Sequence, residues 1–215
     1  MSKINFIAVL ILLSSSFRSY SQVPNWRFIK ESDGIKVYYR EIPNKNINEV
    51  KIITSFDSNL STIVEALRDV DAYPNWVYKA VSSKAIKRFN QNEMIYYNKL
   101  DFPWPLSDRD IAIHTKVIQN QLNKEVVSIS YAEANAVPKL KNYVRIDEFT
   151  SKWVFKPNGS LVQGEYVFRS NPGGNIPAWL VNLSLDEGPV KTIQNFKKIL
   201  LEKKYTIKND LAILN

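Results

Sequence analysis

The sequence has no cysteine and only one histidine, His114, among its 215 residues. The absence of cysteine excludes disulfide bonds, a cysteine-linked lipid anchor and thiolate metal ligands. With one histidine, a zinc site would need mostly carboxylates, and no such acidic cluster stands out. The sequence also contains no Ser-His-Asp arrangement and no phosphate-binding loop. These absences argue against most metal-dependent, redox and hydrolytic enzymes, and we expect no cofactor and no metal site.

The sequence also lacks an apolar run of about 20 residues, the length that a membrane-spanning helix needs. Its run Ile4–Leu13 has ten residues and follows the positive charge of Lys3. Ser19 and Ser21 supply small residues at the −3 and −1 positions of a cleavage site. This pattern predicts a signal peptide that is cleaved before Gln22, with a retained N-terminal anchor as the alternative.

We therefore expect a signal peptide at residues 1–21 and one domain at residues 22–215, which is long enough to bury a sizeable core. The mature protein is expected in the periplasm or outside a bacterial cell. Its formal net charge falls from +8 to +6 when Lys3 and Arg18 are removed. Because the lysines are scattered and no nucleic-acid-binding motif is present, we predict a solvated basic face and no nucleic-acid partner.

Alternation and turn residues predict that most of the chain forms strands. After two strand-like runs, a helix is expected over residues 60–70, because apolar residues recur there at helical spacing. Asn59 or Thr62 could cap this helix, and Pro74 follows its end. Six further strands are expected at residues 82–89, 93–101, 110–119, 124–131, 142–156 and 161–169, in the rhythm of an antiparallel meander.

An apolar stripe from about Pro177 to Tyr205 predicts one long C-terminal helix, which Gly188 and Pro189 should kink. The order of elements is thus a strand pair, a helix, a six-strand meander and a long helix. This order predicts an α+β fold in which a curved antiparallel sheet wraps around the C-terminal helix. An internal hydrophobic cavity is expected between the sheet and the helix.

Three separated motifs occur in this frame: PWPLSDRD at 103–110, YVRIDEFTSKW at 143–153 and NPGGNIPAWLVN at 171–182. Together they resemble the steroidogenic acute regulatory protein-related lipid-transfer (START) domain, and especially its phosphatidylcholine-transfer branch. The similarity covers roughly residues 26–205. It implies a helix-grip fold whose hydrophobic tunnel holds one lipid or sterol-like molecule.

Strand alternation and the resemblance together predict which side chains face this cavity. Asn98 and Ser151 are the expected polar anchors, and His114 is expected on the outer, solvated face of its strand. Arg109, which stands between two aspartates, is expected either to clamp a polar head group or to fix the loop geometry. The predicted cavity residues are Asn98, Arg109, Ile111, Ile113, Thr115, Phe149, Ser151, Trp153, Tyr166, Phe168, Trp179, Leu183 and Val190.

Some relatives that bind phosphatidylcholine cage the choline group with aromatic side chains. Those positions fall here on Asn98, Ile111 and Phe149, and only one of them is aromatic. Cation–π recognition of a quaternary ammonium is therefore not expected from the resemblance.

The first functional hypothesis is a non-enzymatic protein that binds, and could transfer, a lipid or another hydrophobic molecule. It would be a monomer that contacts a membrane surface transiently. An alternative is a cyclase or aromatase that acts on a polyketide-type substrate in the same cavity. A third is an accessory domain that senses its ligand and signals to a partner.

Overall fold

A computed structural model describes residues 25–183, 186–206 and 213–215, so the predicted signal peptide lies outside the described residues. The strands are β1 (Arg27–Ser32), β2 (Ile35–Arg40), β3 (Glu49–Phe56), β4 (Ala80–Asn90), β5 (Glu93–Leu100), β6 (Asp108–Gln119), β7 (Val126–Ala132), β8 (Tyr143–Arg145), β9 (Glu148–Asn158) and β10 (Leu161–Asn171). The helices are α1 (Leu60–Arg68), a 3₁₀ helix (Val70–Asn75), α2 (Ala178–Leu183), α3 (Glu187–Ile199) and α4 (Lys203–Thr206). In these ranges, no helix is long and apolar enough to cross a membrane.

The strands form one sheet in the order β1-β2-β3-β10-β9-β7-β6-β5-β4, and β8 pairs separately with β6. The pairings along this order are antiparallel, which confirms the predicted α+β fold with its curved antiparallel sheet. The predicted strand at 142–156 was wrong in one respect, because it is two strands. β8 runs parallel to β6 whereas β9 pairs with β7, so residues 146 and 147 carry the chain from one partner to the other.

Strand β4 lies at one edge of the sheet and is irregular. Its pairing with β5 shifts register at three places, between residues 80 and 82, 85 and 87, and 88 and 90. Each extra residue in such a bulge bends the strand and increases its local twist. The edge strand consequently departs from a straight ladder along its whole length.

Helix α1 begins at the cap that the sequence predicted. The Asn59 Oδ1 atom accepts hydrogen bonds from the Thr62 backbone N–H at 2.8 Å and from the Ser61 hydroxyl at 2.9 Å. Asn59 is therefore the cap, and Thr62 lies inside the helix. The 3₁₀ helix that follows contains Pro74, so the chain leaves the α-helical ladder before that proline.

The predicted single C-terminal helix is three shorter helices, α2, α3 and α4. Gly188 and Pro189 lie in the first turn of α3 and not in the middle of a helix. A proline in the first turn loses nothing, because backbone N–H groups there have no partner within the helix. The expected kink is therefore the start of a new helix.

Aromatic side chains pack where α3 crosses the inner face of the sheet. The ring of Phe196 lies 5.7 Å from that of Phe56 and 4.6 Å from that of Trp76, centroid to centroid. Phe56 fits against β10 because residue 164 is glycine, since an added Cβ there would lie 2.6 Å from Phe56 Cε2. This cluster anchors α3 and closes the core on one side.

Candidate functional site

A cavity of about 250 Å³ lies between the inner face of the sheet and helix α3. The end of α1 and the 3₁₀ helix complete its wall. Most of the lining side chains are aliphatic or aromatic, as expected for a site that takes an apolar molecule. The predicted residues on the strands that line the cavity are Asn98, Ile111, Ile113, Thr115, Phe149, Ser151, Trp153, Tyr166 and Phe168.

The prediction that Arg109 lines the cavity was wrong, because its guanidinium is buried in the loop region instead. Arg109 is 2% exposed, and its Nε donates to the Pro172 carbonyl at 3.1 Å. Its two terminal nitrogens donate to the carbonyls of Ser107 and Gly173. Burial lowers the pKa of Arg109. Arg109 fixes loop geometry, but it does so through backbone carbonyls and the face of the Phe102 ring at 4.5 Å.

The structure also places Trp179 and Val190, two of the predicted helix residues, outside the cavity lining. Trp179 is 65% exposed on α2, and Val190 is buried in the core. The residues of α3 that do line the cavity are Pro189, Thr192 and Ile193, at the i, i+3 and i+4 spacing of one helix face. The side chain of Leu183 lies outside the described residues.

Several lining residues were missed by the sequence prediction. They come mainly from helix ends and from strands whose inner face is polar. The lining residues of β7 could have been predicted only by pairing β7 with β6, whose inner face is apolar. These residues are Leu67, Arg68, Tyr73, Trp76, Val77, Asn92, Ser128, Ser130, Ile146, Ser170, Pro189, Thr192 and Ile193.

The lining includes polar atoms that are buried without a hydrogen-bond partner. Among them are the Asn98 Oδ1 atom on β5 and the Trp76 Nε1 atom after the 3₁₀ helix. The Ser83 hydroxyl, on the residue of β4 that is paired with Asn98, is likewise unpartnered. An unsatisfied buried polar group costs about 1–3 kcal/mol. A ligand that formed hydrogen bonds with Asn98 Oδ1 or Trp76 Nε1 would recover that cost at those atoms.

The cavity wall is nearly neutral. Arg68 is the single ionised side chain of the described lining, and its Nη1 lies 3.0 Å from a Glu65 carboxylate oxygen. Burial raises the pKa of Tyr166 to about 12 and raises the pKa of Tyr96 well above its ordinary value. Both phenols therefore stay protonated and uncharged near neutral pH.

His114 lies on the outer face of β6, away from the cavity, as alternation predicted. It is not simply solvated, because its side chain is only 16% exposed. Its Nε2 lies 3.0 Å from Glu93 Oε1, and its Nδ1 lies 2.9 Å from the Tyr131 hydroxyl. The Phe89 ring stacks on the imidazole with centroids 5.2 Å apart. This network supports the outer surface of the sheet.

Residues 15–206 of the chain match the family described as the START domain. The chain belongs to the START domain family. This confirms the resemblance drawn from the three sequence motifs. Among curated relatives of this START domain, the rat phosphatidylcholine transfer protein is 24% identical over 188 residues, covering 81% of this chain and 86% of that protein.

Solved structures agree with this assignment. A STAR-related lipid transfer protein from Xanthomonas axonopodis superposes with a TM-score of 0.77 at 27% identity, covering 82% of this START chain and 99% of that one. Human STARD10 superposes with a TM-score of 0.73 at 18% identity, covering 88% and 78% respectively. In sequence, an uncharacterised Pseudomonas aeruginosa protein is also similar, with 25% identity over 174 residues that cover 80% of this chain and 85% of that protein. The helix-grip fold of the chain is thus the START fold.

Proposed function

We propose that this START domain binds a lipid or another hydrophobic small molecule in its internal cavity and transfers it without chemical change. The observation that carries the proposal is the largely apolar cavity enclosed between the sheet and α3. Relatives named for phosphatidylcholine and lipid transfer support it. Burial of apolar ligand surface contributes about 25 cal/mol per Å², so a few hundred Å² supply most of the binding free energy.

The composition of the wall favours binding over catalysis. A cyclase needs a general base or acid within hydrogen-bond reach of its substrate. In the described ranges, no histidine, aspartate or glutamate lines the cavity. The buried tyrosines hold their protons, because burial raises their pKa values. The cyclase alternative therefore has no structural observation in its favour.

Transient contact with a membrane is part of the proposal, and it would involve two exposed tryptophans. Trp104 is 92% exposed and Trp179 is 65% exposed. The Arg109 guanidinium joins the loops next to them, because it donates to the carbonyl of Ser107, three residues after Trp104, and to that of Gly173, in the turn before α2. Tryptophan is favoured at membrane–water interfaces. Because Leu100 lines the cavity and pairs with Arg109, this end of the molecule is where the ligand would pass.

We also propose that the mature protein is a monomer exported after cleavage before Gln22. The apolar run behind Lys3 and the serines at positions 19 and 21 support the export and the cleavage. N-terminal sequencing of protein recovered from outside the cytoplasm of its native host tests it. An intact Lys3 on exported material would refute the cleavage.

The carrier proposal is tested by extracting the protein purified from its native host and identifying bound molecules by mass spectrometry. Transfer of a fluorescent lipid between vesicles gives the second measurement. A Ser130→Phe variant, which fills the cavity, should lose transfer, whereas Ile129→Phe on the outer face of the same strand should keep it. Empty extracts together with equal transfer by both variants would contradict the proposal.

A further inference from the structure

Four buried hydroxyl groups form a continuous patch on the cavity wall. Thr115, Ser130 and Ser151 are register partners across β6, β7 and β9, and Ser128 lies two residues from Ser130 on β7. Each of the four is at most 9% exposed, and all line the cavity. Such positions on the inner face of a sheet are usually apolar, so this patch is a local departure from the core around it.

The patch has hydrogen-bonding capacity left over. The Thr115 and Ser130 hydroxyl oxygens lie 2.9 Å apart, and this bond uses only one of their two O–H groups, whichever residue donates. Ser128 stands between Val117 and Trp153 in the register, and both neighbours are apolar. The wall therefore presents O–H donors and oxygen acceptors to whatever occupies the cavity.

The charges around the cavity exclude one class of polar head group. A buried phosphate needs arginine or lysine partners, but the only cation in the described lining is Arg68, and it is already paired with Glu65. The resemblance places only one aromatic residue, Phe149, at its three choline-cage positions, although other aromatic side chains line the cavity. The phosphate of a phosphocholine group therefore has no cation in the described lining apart from the paired Arg68.

We propose that the hydroxyl patch is a subsite for the hydroxyl group of an uncharged lipid alcohol, which the cavity prefers to a phosphocholine lipid. This inference rests on the proposed function and adds the ligand class. A hydroxyl both donates and accepts, so it complements the patch without bringing a charge. The cavity of about 250 Å³ lies below the range of about 300–1,000 Å³ typical of drug-sized ligands. That size favours a single chain or a fused-ring alcohol over a lipid with two chains.

Three probes with the same sixteen-carbon chain test the subsite: hexadecanol, hexadecylphosphocholine and hexadecane. Each is delivered from cyclodextrin below its aggregation limit, and binding is read from intrinsic fluorescence, because Trp76 and Trp153 line the cavity. The wild-type protein should bind hexadecanol at least about tenfold more tightly than either other probe. Equal or tighter binding of hexadecylphosphocholine would overturn the inference and leave the carrier function standing. Failure of all three probes to bind would refute the carrier function as well.

The double variant Thr115→Val/Ser130→Ala removes the bonded pair of hydroxyls together. Replacing both partners by apolar groups of similar shape is nearly neutral for stability, so the variant should fold. Its affinity for hexadecanol should fall about tenfold, while its affinity for hexadecane stays the same. Ser128→Ala alone should reduce hexadecanol affinity about threefold and gives a second readout if the double variant is unstable.

The matched control makes the same two chemical changes on exposed sheet positions, Ser55→Ala and Thr150→Val. It should bind all three probes as the wild type does. Unchanged hexadecanol affinity in both cavity variants would overturn the subsite. An equal loss in the control would do the same, because the effect would then not belong to the patch.

Discussion

Replacing Asn98 by leucine should make the ligand-free protein more stable and a poorer binder. Asn98 is 4% exposed on β5, and its Oδ1 atom has no hydrogen-bond partner. Leaving such a buried acceptor unpaired costs about 1–3 kcal/mol. Leucine removes that cost and extends apolar surface into the cavity. The free energy of unfolding should therefore rise by about 1–3 kcal/mol, which corresponds to roughly 2–12 °C in Tm for a chain of this size.

Urea unfolding and thermal scans with and without hexadecanol measure both effects. In the wild type, ligand should raise Tm, because a molecule that binds only the folded state stabilises it. In Asn98→Leu the starting Tm should be higher and the increase with ligand smaller. Asn158→Leu, at an exposed position of β9, is the control and should change neither quantity. If ligand-free Asn98→Leu is less stable than the wild type, Asn98 supports the fold and our interpretation of its unpaired oxygen fails.

Three further predictions concern the surroundings of the cavity. Burial raises the pKa of Asp110, but hydrogen bonds from Arg145 and Tyr97 outweigh it and hold this pKa below its ordinary value. Asp110 therefore stabilises the fold above about pH 4 and loses this contribution as the pH falls further, so Asp110→Asn should cost about 3–5 kcal/mol at neutral pH and flatten the acid side of the stability curve. Equal acid profiles for variant and wild type would contradict this. Replacing Trp104 and Trp179 by alanine should slow transfer between vesicles severalfold and leave cavity affinity unchanged, whereas a parallel loss of affinity would argue against membrane contact. His114→Ala should lower stability by about 1 kcal/mol through its partners Glu93 and Tyr131 and leave probe binding intact, and weaker binding would contradict its position on the outer face.

Strand alternation predicted the inner face of β6 correctly. Ile111, Ile113 and Thr115 all line the cavity, as a two-residue period requires. On β7, choosing the more hydrophobic face as the inner one gives the wrong side of the strand. Ile129 is 44% exposed, whereas Ser128 and Ser130 face inward. A wall built to meet a polar group inverts the usual pattern, so only pairing with β6 shows which side is inner.

The remaining misses come from contacts between residues distant in the chain. The sequence places Arg109 beside two aspartates, but its partners are the carbonyls of Pro172 and Gly173, which the turn before α2 brings close. The sequence predicts that Gly188 and Pro189 kink one long helix, whereas both lie in the first turn of α3. The local sequence does not show whether such a residue pair bends a helix or begins one. That depends on where the chain starts to cross the inner face of the sheet.

The irregular edge strand β4 has a consequence for assembly. A straight, unpaired edge is a template on which a second chain adds its own strand, and repeated addition leads to aggregates. The three register shifts of β4 interrupt the ladder of free backbone groups, and Lys84 and Lys87 place positive charge along it. If the β4 edges of two copies met, their backbone groups would not form a continuous hydrogen-bonded ladder, and the lysines of one copy would face the lysines of the other. The β4 edge of the ten-stranded sheet is therefore a poor template for a strand of a second chain.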